Sequence, residues 1–437
     1  MQDTPDPRSG HANYLLGVLL AAYILSFIDR NILAILVGPI REEFAISDFQ
    51  FSILHGWAFT LLYVLLGVPF GWLVDRFNRR WIVIGGVLVW SVMTALGGFA
   101  RGFFTLFLTR VGVGVGEASL SPAAYSMLSD VFPPQRLSWA TSIFAMGIPL
   151  GTGISFMVGG MLYEFFSTNT TLAALAPTVR PWQATFVMVG LLGGVVVALL
   201  WWVREPLRRK RLNDAASMQQ AASLGEVLAH MWRQRRLFGA LVFGSGLIAI
   251  AGYGVTAWFP EFLARSHGMS KGEAGAAVGM AFMLAGTAGS FVGALCTSLL
   301  QRRGYRDANL RWVMLTAVLM LIPAIFAPLL PGRTGAVVLF AVVVLFSSSH
   351  FGVVMAALQL VTPSRMRGQA TAIALFFINV LGLGMGASIV AGITDFVFAD
   401  DLALRYSLAI TGGVFYLLAA FVCGSGLGHY RRAMAAD

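Results

Sequence analysis

The stretch "EPLRRKRLNDAASMQQAASLGEVLAHMWRQRR", Glu205 to Arg236, is the longest polar run in the chain, and the sequence turns apolar on both sides of it. A bilayer core about 30 Å thick is crossed by a helix of roughly 20 apolar residues. Windows of that kind fall at 14–39, 51–74, 81–100, 103–129, 138–162 and 182–203 before the polar run. Six more follow it, at 237–263, 272–300, 310–330, 334–361, 368–397 and 402–428. The expected fold is an all-α membrane protein of twelve transmembrane helices in two pseudo-symmetric six-helix halves. Residues 1–204 form one half, 237–437 the other, and 205–236 a basic cytoplasmic linker.

Composition agrees with a lipid solvent. Hydrophobic residues make up 57% of the chain and charged residues 11%, about half the charge of a soluble protein. The opening "MQDTPDPRSGHAN" is polar, and the first apolar run is long enough to span, so it reads as a short tail and not as a cleaved signal. Cys296 and Cys423 both sit in apolar windows and suggest neither a disulfide framework nor a metal cluster.

Basic residues give the orientation. With a cytoplasmic N-terminus, 21 of the 30 Lys and Arg fall in the tails and cytoplasmic loops and 7 on the opposite side; both termini are therefore placed inside. The net charge of +10 is accounted for by this excess facing anionic membrane lipids, which leaves no case for nucleic acid.

The halves carry a faint repeat. "PPQRLSWATSI" from Pro133 resembles "TPSRMRGQATAI" from Thr362, each between the fourth and fifth windows of its half. Duplicated halves are an architecture of secondary transporters.

Within the first half, "GWLVDRFNRR", Gly71 to Arg80, resembles the loop signature G-x-x-x-D-R-x-x-R-R of the major facilitator superfamily. The matching loop of the second half, "GALCTSLLQRRG" from Gly293, has Thr297 in place of the acid. "LTRVGVGVGEASLSPAAYSMLSD" from Leu108, "SIFAMGIPLGTG" from Ser142, "WWVREP" from Trp201 and the Asp29-Arg30 pair are together similar to the Spinster family of lipid transporters. The likeness runs along most of the first half and is weak in the second. It implies the major facilitator fold and a proton-linked or facilitative carrier of a lysolipid or of an amphiphile like sphingosine phosphate. All but Lys210 and Lys271 of the basic residues are Arg, which fits a bacterial chain and a multi-pass protein of the inner membrane. It also implies a cytosolic latch at Asp75 and Arg76, supported by Asp130 and Arg136, with Arg79 and Arg80 enforcing topology.

"GVGVGE" does not read as a nucleotide loop, since no strand precedes it and the window is apolar. Gly112 and Gly116, four apart, instead make a thin helix face that a neighbour can approach.

Four charges lie inside spans. Asp29 is 15 residues beyond Tyr14, roughly 22 Å along a helix, and Arg110 is 7 residues beyond Phe103, roughly 10 Å from the opposite side. The two reach similar depth, and Glu117 follows Arg110 on the same helix face. Each such charge costs about 2.5–3.5 kcal/mol at a helix centre, so Asp29, Arg30, Arg110 and Glu117 are expected to face one another or a polar cavity. Burial and a neighbouring guanidinium act in opposite directions on the proton affinity of a carboxylate, and movement of either Arg makes a coupling device. Asp29 and Glu117 are the expected proton sites, and Arg30 and Arg110 the expected anchors for an anionic head group.

The interiors of the second-half windows read as free of Lys, Arg, Asp and Glu apart from Asp395. Tyr253, Trp258, His350 and Asn379 are the substrate-lining candidates there, amid many apolar side chains. Such a wall suits the tail of an amphiphile. A hydrogen-bonded structural role for His350 competes with a proton-carrying one.

The reading is a proton-coupled transporter working by alternating access as a monomer, with an amphiphilic small molecule, protons and membrane lipids as partners. A facilitator-type antiporter of drugs or small organic anions is the alternative. Neither H-E-x-x-H nor a nucleophile elbow is present, so no enzyme, metal or cofactor is expected.

Overall fold

The structure, a computed structural model, describes residues 7–169, 171, 178–208 and 222–436. Among them there is no strand, and twelve helices are long and apolar enough to cross a membrane. We label these crossings α1 (Gly10–Ile35), α2 (Asp48–Gly67), α3 (Arg79–Gly97), α4 (Phe103–Val131), α5 (Gln135–Thr168) and α6 (Pro181–Trp201). The second set is α7 (Arg235–His267), α8 (Lys271–Arg302), α9 (Ala308–Leu329), α10 (Arg333–Leu360), α11 (Ser364–Phe398) and α12 (Asp401–Ala435). All twelve windows read from the sequence are occupied. The segment 209–221 of the expected linker lies outside the described residues.

Several crossings are interrupted. α1 stops at Ile35, and a short helix, Val37–Phe44, follows one residue later. α2 contains a π-turn at Ile53–Trp57, and α8 and α11 contain others at Phe282–Gly286, Val380–Met385 and Ile393–Phe398. A π-turn inserts one residue into the hydrogen-bond ladder and swings the following side chains to a new face, which is why such turns gather at functional positions.

The chain forms two compact units, 1–209 with 269–279, and 210–268 with 280–437. Close helix approach in the first unit depends on the glycines of "GVGVGE". A Cβ at Gly112 would lie 2.6 Å from the Met93 Cγ, and one at Gly116 would lie 2.7 Å from the Gly86 carbonyl oxygen. The motif is a packing face, and it brings α4 against α3 tightly enough to fix the depth of Arg110 and Glu117.

In the second unit, α7 is the buried axis of a core that includes Trp312, Met320 and Tyr416. A linker helix, Leu224–Arg233, precedes it. Ser223 starts that helix with a capping box, its hydroxyl accepting from the Glu226 amide while the Glu226 carboxylate accepts from the Ser223 amide. Val227 and Met231 then pack it onto Met366, Ala370 and Ile373.

Candidate functional site

The centre of α1 is where the first unit concentrates its polar chemistry. Four consecutive carbonyls there, those of residues 27–30, accept side-chain donors in addition to their place in the helix. The Asn31 amide donates to Phe27 at 2.9 Å, and the Ser155 hydroxyl to Ile28 at 3.1 Å. Arg110 Nη1 and Nη2 donate to Asp29 and Arg30 at 2.9 and 3.4 Å. A guanidinium is a rigid fork of donors, and here the fork clamps α4 to the backbone of α1.

The side chains of the Asp29-Arg30 pair take different surroundings. Arg30 Nη2 donates to Glu117 Oε2 at 2.7 Å, a bond between groups that are both buried. The same guanidinium lies 4.7, 4.5 and 4.9 Å from the ring centres of Phe27, Phe59 and Tyr63, contacts that favour a cation over a ring face. Asp29 is fully buried, and neither of its carboxylate oxygens hydrogen-bonds to another protein group. The Thr94 hydroxyl and the Trp90 indole N–H are turned toward it, and they too lack partners.

The sequence therefore brings the right four residues together, with one change of partner. Arg110 meets the backbone of Asp29 and not its carboxylate, and Arg30 is the base that pairs with Glu117. Sequence reasoning missed His55. It lies on the π-turn of α2 beside Arg110 and Arg30, with a buried Nδ1 that makes no hydrogen bond. A histidine within an apolar run was the available signal. Buried polar atoms are nearly always satisfied in native proteins, so an unpartnered carboxylate, imidazole, hydroxyl and indole in one place mark a site with chemistry to do.

The signature stretch after α2 separates the expected latch residues by burial. Asp75 and Arg76 are exposed, and Arg76 lies over the Trp72 ring at 4.0 Å. Arg136 is likewise exposed. Arg79, given only a topological role by the sequence, is 1% exposed. It donates to Asp130 Oδ2 at 2.5 Å, Glu205 Oε1 at 2.8 Å, the Ser126 hydroxyl at 3.0 Å and the Pro206 carbonyl at 2.8 Å. Arg208 closes the other side of the loop on the carbonyls of Val74, Asp75 and Phe77. The "REP" that ends "WWVREP" is thus tied to the signature loop by Glu205 and Pro206. In the second unit Thr297, standing where the acid would be, turns its hydroxyl back to the Gly293 carbonyl at 2.7 Å.

The second-unit candidates divide. Tyr253 is 38% exposed, and Asn379, just before the Val380–Met385 π-turn, is half-buried. Trp258 is not an open lining residue: it is 1% exposed and donates its indole N–H to the Ala387 carbonyl at 2.9 Å. His350 is buried, with Nδ1 2.6 Å from the Ser347 carbonyl of its own helix. Glu261 corrects the expectation of a charge-free interior. Glu261 lies within the 237–263 window itself and is enclosed at 4% exposure; because α7 runs on to His267, Arg265 follows one turn later and donates to it at 2.8 Å.

The profile of the Major Facilitator Superfamily matches residues 19–388. An "MFS-type efflux pump" of Mycolicibacterium smegmatis is 30% identical over 98% of this chain and 95% of its own length. "Protein spinster homolog 1" of Homo sapiens is 29% identical over 59% of this chain and 47% of its own. Among solved structures, a bacterial homologue of the human lysosomal transporter Spinster, in an inward-facing, unoccupied conformation, superposes with a TM-score of 0.77 at 25% identity, covering 97% of both chains. With twelve crossings, the signature loop and these relatives, the chain belongs to the major facilitator superfamily of membrane transporters and within it is similar to the Spinster proteins.

Proposed function

We propose that this protein is a proton-coupled secondary transporter that moves a phosphate-bearing amphiphile, of the lysolipid or sphingosine-phosphate type, by alternating access. The observation that carries the reading is the buried set of Asp29, Arg30, Arg110 and Glu117, with an ion pair at one end and, at the other, a carboxyl group whose oxygens make no hydrogen bond to protein. Arg30 and Arg110 offer bidentate donors of the geometry that phosphate accepts. In this reading, a head group arriving at Arg30 competes with Glu117 for the guanidinium. The displaced carboxylate then takes up a proton, and Asp29 is the second group able to do so. The similarity to Spinster proteins supports a lipid-like substrate.

Uptake of a panel of lysolipids into proteoliposomes, with and without an imposed pH gradient, tests this. Accumulation of a phosphate-bearing lysolipid that rises with the gradient is expected; gradient-independent uptake of every lipid removes the coupling. A second reading, an antiporter exporting drugs or small organic anions, draws on the efflux pump that matches the chain along nearly its whole length. It predicts that a small organic anion competes with lysolipid in the same assay.

A further inference from the structure

The end of the second unit that holds the start of α7 and the end of α12 carries a cavity of about 440 Å³, lined by Arg233, Arg235, Arg236, Arg432 and His429 among others. Four guanidiniums in so small a space repel one another, and among the described residues none of the four has an acidic partner. His429 adds a buried Nδ1 that makes no hydrogen bond. The floor is rigid, since Leu237 and Tyr430 beside it belong to the packed core. α7 also begins here, with Gln234 making no side-chain cap, so its free amides add positive potential at the same place.

The linker helix supplies the second observation. Its inward face, Val227 and Met231, is packed against the protein. Leu224, Leu228 and Trp232, spaced one turn apart, are 58%, 49% and 71% exposed. An apolar stripe beside a cluster of Arg is the pattern of a helix lying in the membrane interface. In sequence, the segment 209–221 that leads to the linker helix is itself basic, with Arg209, Lys210 and Arg211 against Asp214.

We infer that this cavity is a binding site for the headgroup of an anionic glycerophospholipid of the cytoplasmic leaflet, with Arg233, Arg235 and Arg432 holding the phosphodiester and Leu224, Leu228 and Trp232 resting among the acyl chains. Basic residues concentrate on that side of the membrane in the sequence, and basic pockets there are suited to anionic headgroups. The site shares no residue with the buried cluster of the first unit and does not depend on what is transported.

The test is native mass spectrometry of the full chain in neutral detergent with phosphatidylglycerol, phosphatidylcholine or glycerol phosphate. Retention of phosphatidylglycerol over the other two is expected, with affinity falling about tenfold or more in R233Q/R235Q/R432Q. The charge-keeping R233K/R235K/R432K variant should retain most of the binding, and R432Q alone should lose part of it, which guards against a misfolded triple variant. Unchanged retention in the Gln variants, equal retention of phosphatidylcholine, or glycerol phosphate binding as tightly as the lipid each overturns the proposal. So does loss of phosphatidylglycerol in R110A but not in R233Q/R235Q/R432Q, which would place the lipid at the transport site.

Discussion

The Arg30 guanidinium and the Glu117 carboxylate meet at 2.7 Å inside the first unit, whereas the carboxyl group of Asp29, the residue just before Arg30, has no hydrogen bond to any protein group. Two acids at one site are thus placed on different footings. Glu117 compensates a buried charge, and Asp29 compensates none that the backbone contacts of Arg110 do not already engage.

Stability should separate them. Glu117→Ala removes the carboxylate that pairs with the buried Arg30 charge, a change that costs about 3–5 kcal/mol when a buried pair is broken. Asp29→Asn preserves shape, breaks no ion pair and keeps an oxygen toward Thr94 and Trp90, and is expected to cost less than about 1 kcal/mol. Thermal unfolding of the two variants in detergent reads the difference. Equal losses would mean that Asp29 is engaged as firmly as Glu117.

Coupling is expected to fail in both. In proteoliposomes, Asp29→Asn and Glu117→Gln should each abolish the response of substrate accumulation to an imposed pH gradient, while counterflow at equal pH persists. His55→Asn is the added arm, because that ring stands beside both arginines. Should Asp29→Asn and Glu117→Gln keep the gradient response and His55→Asn lose it, the proton is carried on α2. His350→Asn should leave the response intact, since the ring is spent on the Ser347 carbonyl of its own helix.

At the signature loop the buried arginine is Arg79. Arg79 holds Asp130, Glu205, Ser126 and Pro206 together, so Arg79→Ala removes a buried cation shared by two carboxylates. The expected loss is about 3–5 kcal/mol. Arg76→Ala, on the exposed side, should stay within about 0.5 kcal/mol of the parent. Asp75→Asn should be similarly mild, because Arg208 binds the backbone carbonyl of residue 75, which the substitution leaves in place. Unfolding midpoints that rank Arg76→Ala below Arg79→Ala would mean that the buried contacts of Arg79 contribute less to stability than the exposed position of Arg76.

What could be read in advance follows from which physical effect sets each feature. Twelve windows were legible because the bilayer imposes one length on every span, and an apolar run of that length has little else to be. Their edges were not: Arg235 and His267 continue α7 beyond the apolar run, because long polar side chains extend from a helix end toward water. The intramembrane charges were legible as a group from their cost, but not as pairs. Arg30 and Glu117 are 87 positions apart, and the choice between Asp29 and Glu117 as partner depends on rotation of α4 that only packing fixes. The same ignorance of helix face hid that Trp258, read as a lining residue, is 1% exposed, and that Arg79 is the buried arginine of the signature loop. The π-turn that carries His55 has no signature in the sequence, since it is a response to neighbours.

On the proposed function, the expected anchor of the head group is Arg110. In this structure its two terminal nitrogens are bonded to the carbonyls of Asp29 and Arg30, so a head group must offer acceptors good enough to replace or share those bonds. A phosphate does so with charge as well as geometry; a neutral hydroxyl does not. Arg110→Ala should therefore weaken a phosphate-bearing lysolipid by about tenfold or more, a difference of about 1.4 kcal/mol or more, while an uncharged amphiphile of equal chain length binds nearly as before. Arg110→Lys keeps the charge but loses the fork and should recover only part of the preference. Across a series of lysolipids affinity should also rise with chain length, by about 0.8 kcal/mol for each methylene that becomes buried, until the apolar surface is covered. Binding measured for lipid pairs matched in length, with and without phosphate, separates head-group recognition from a clamp that only joins α4 to α1. In the clamp case Arg110→Ala lowers both members of every pair alike, and the phosphate preference must be sought at Arg30.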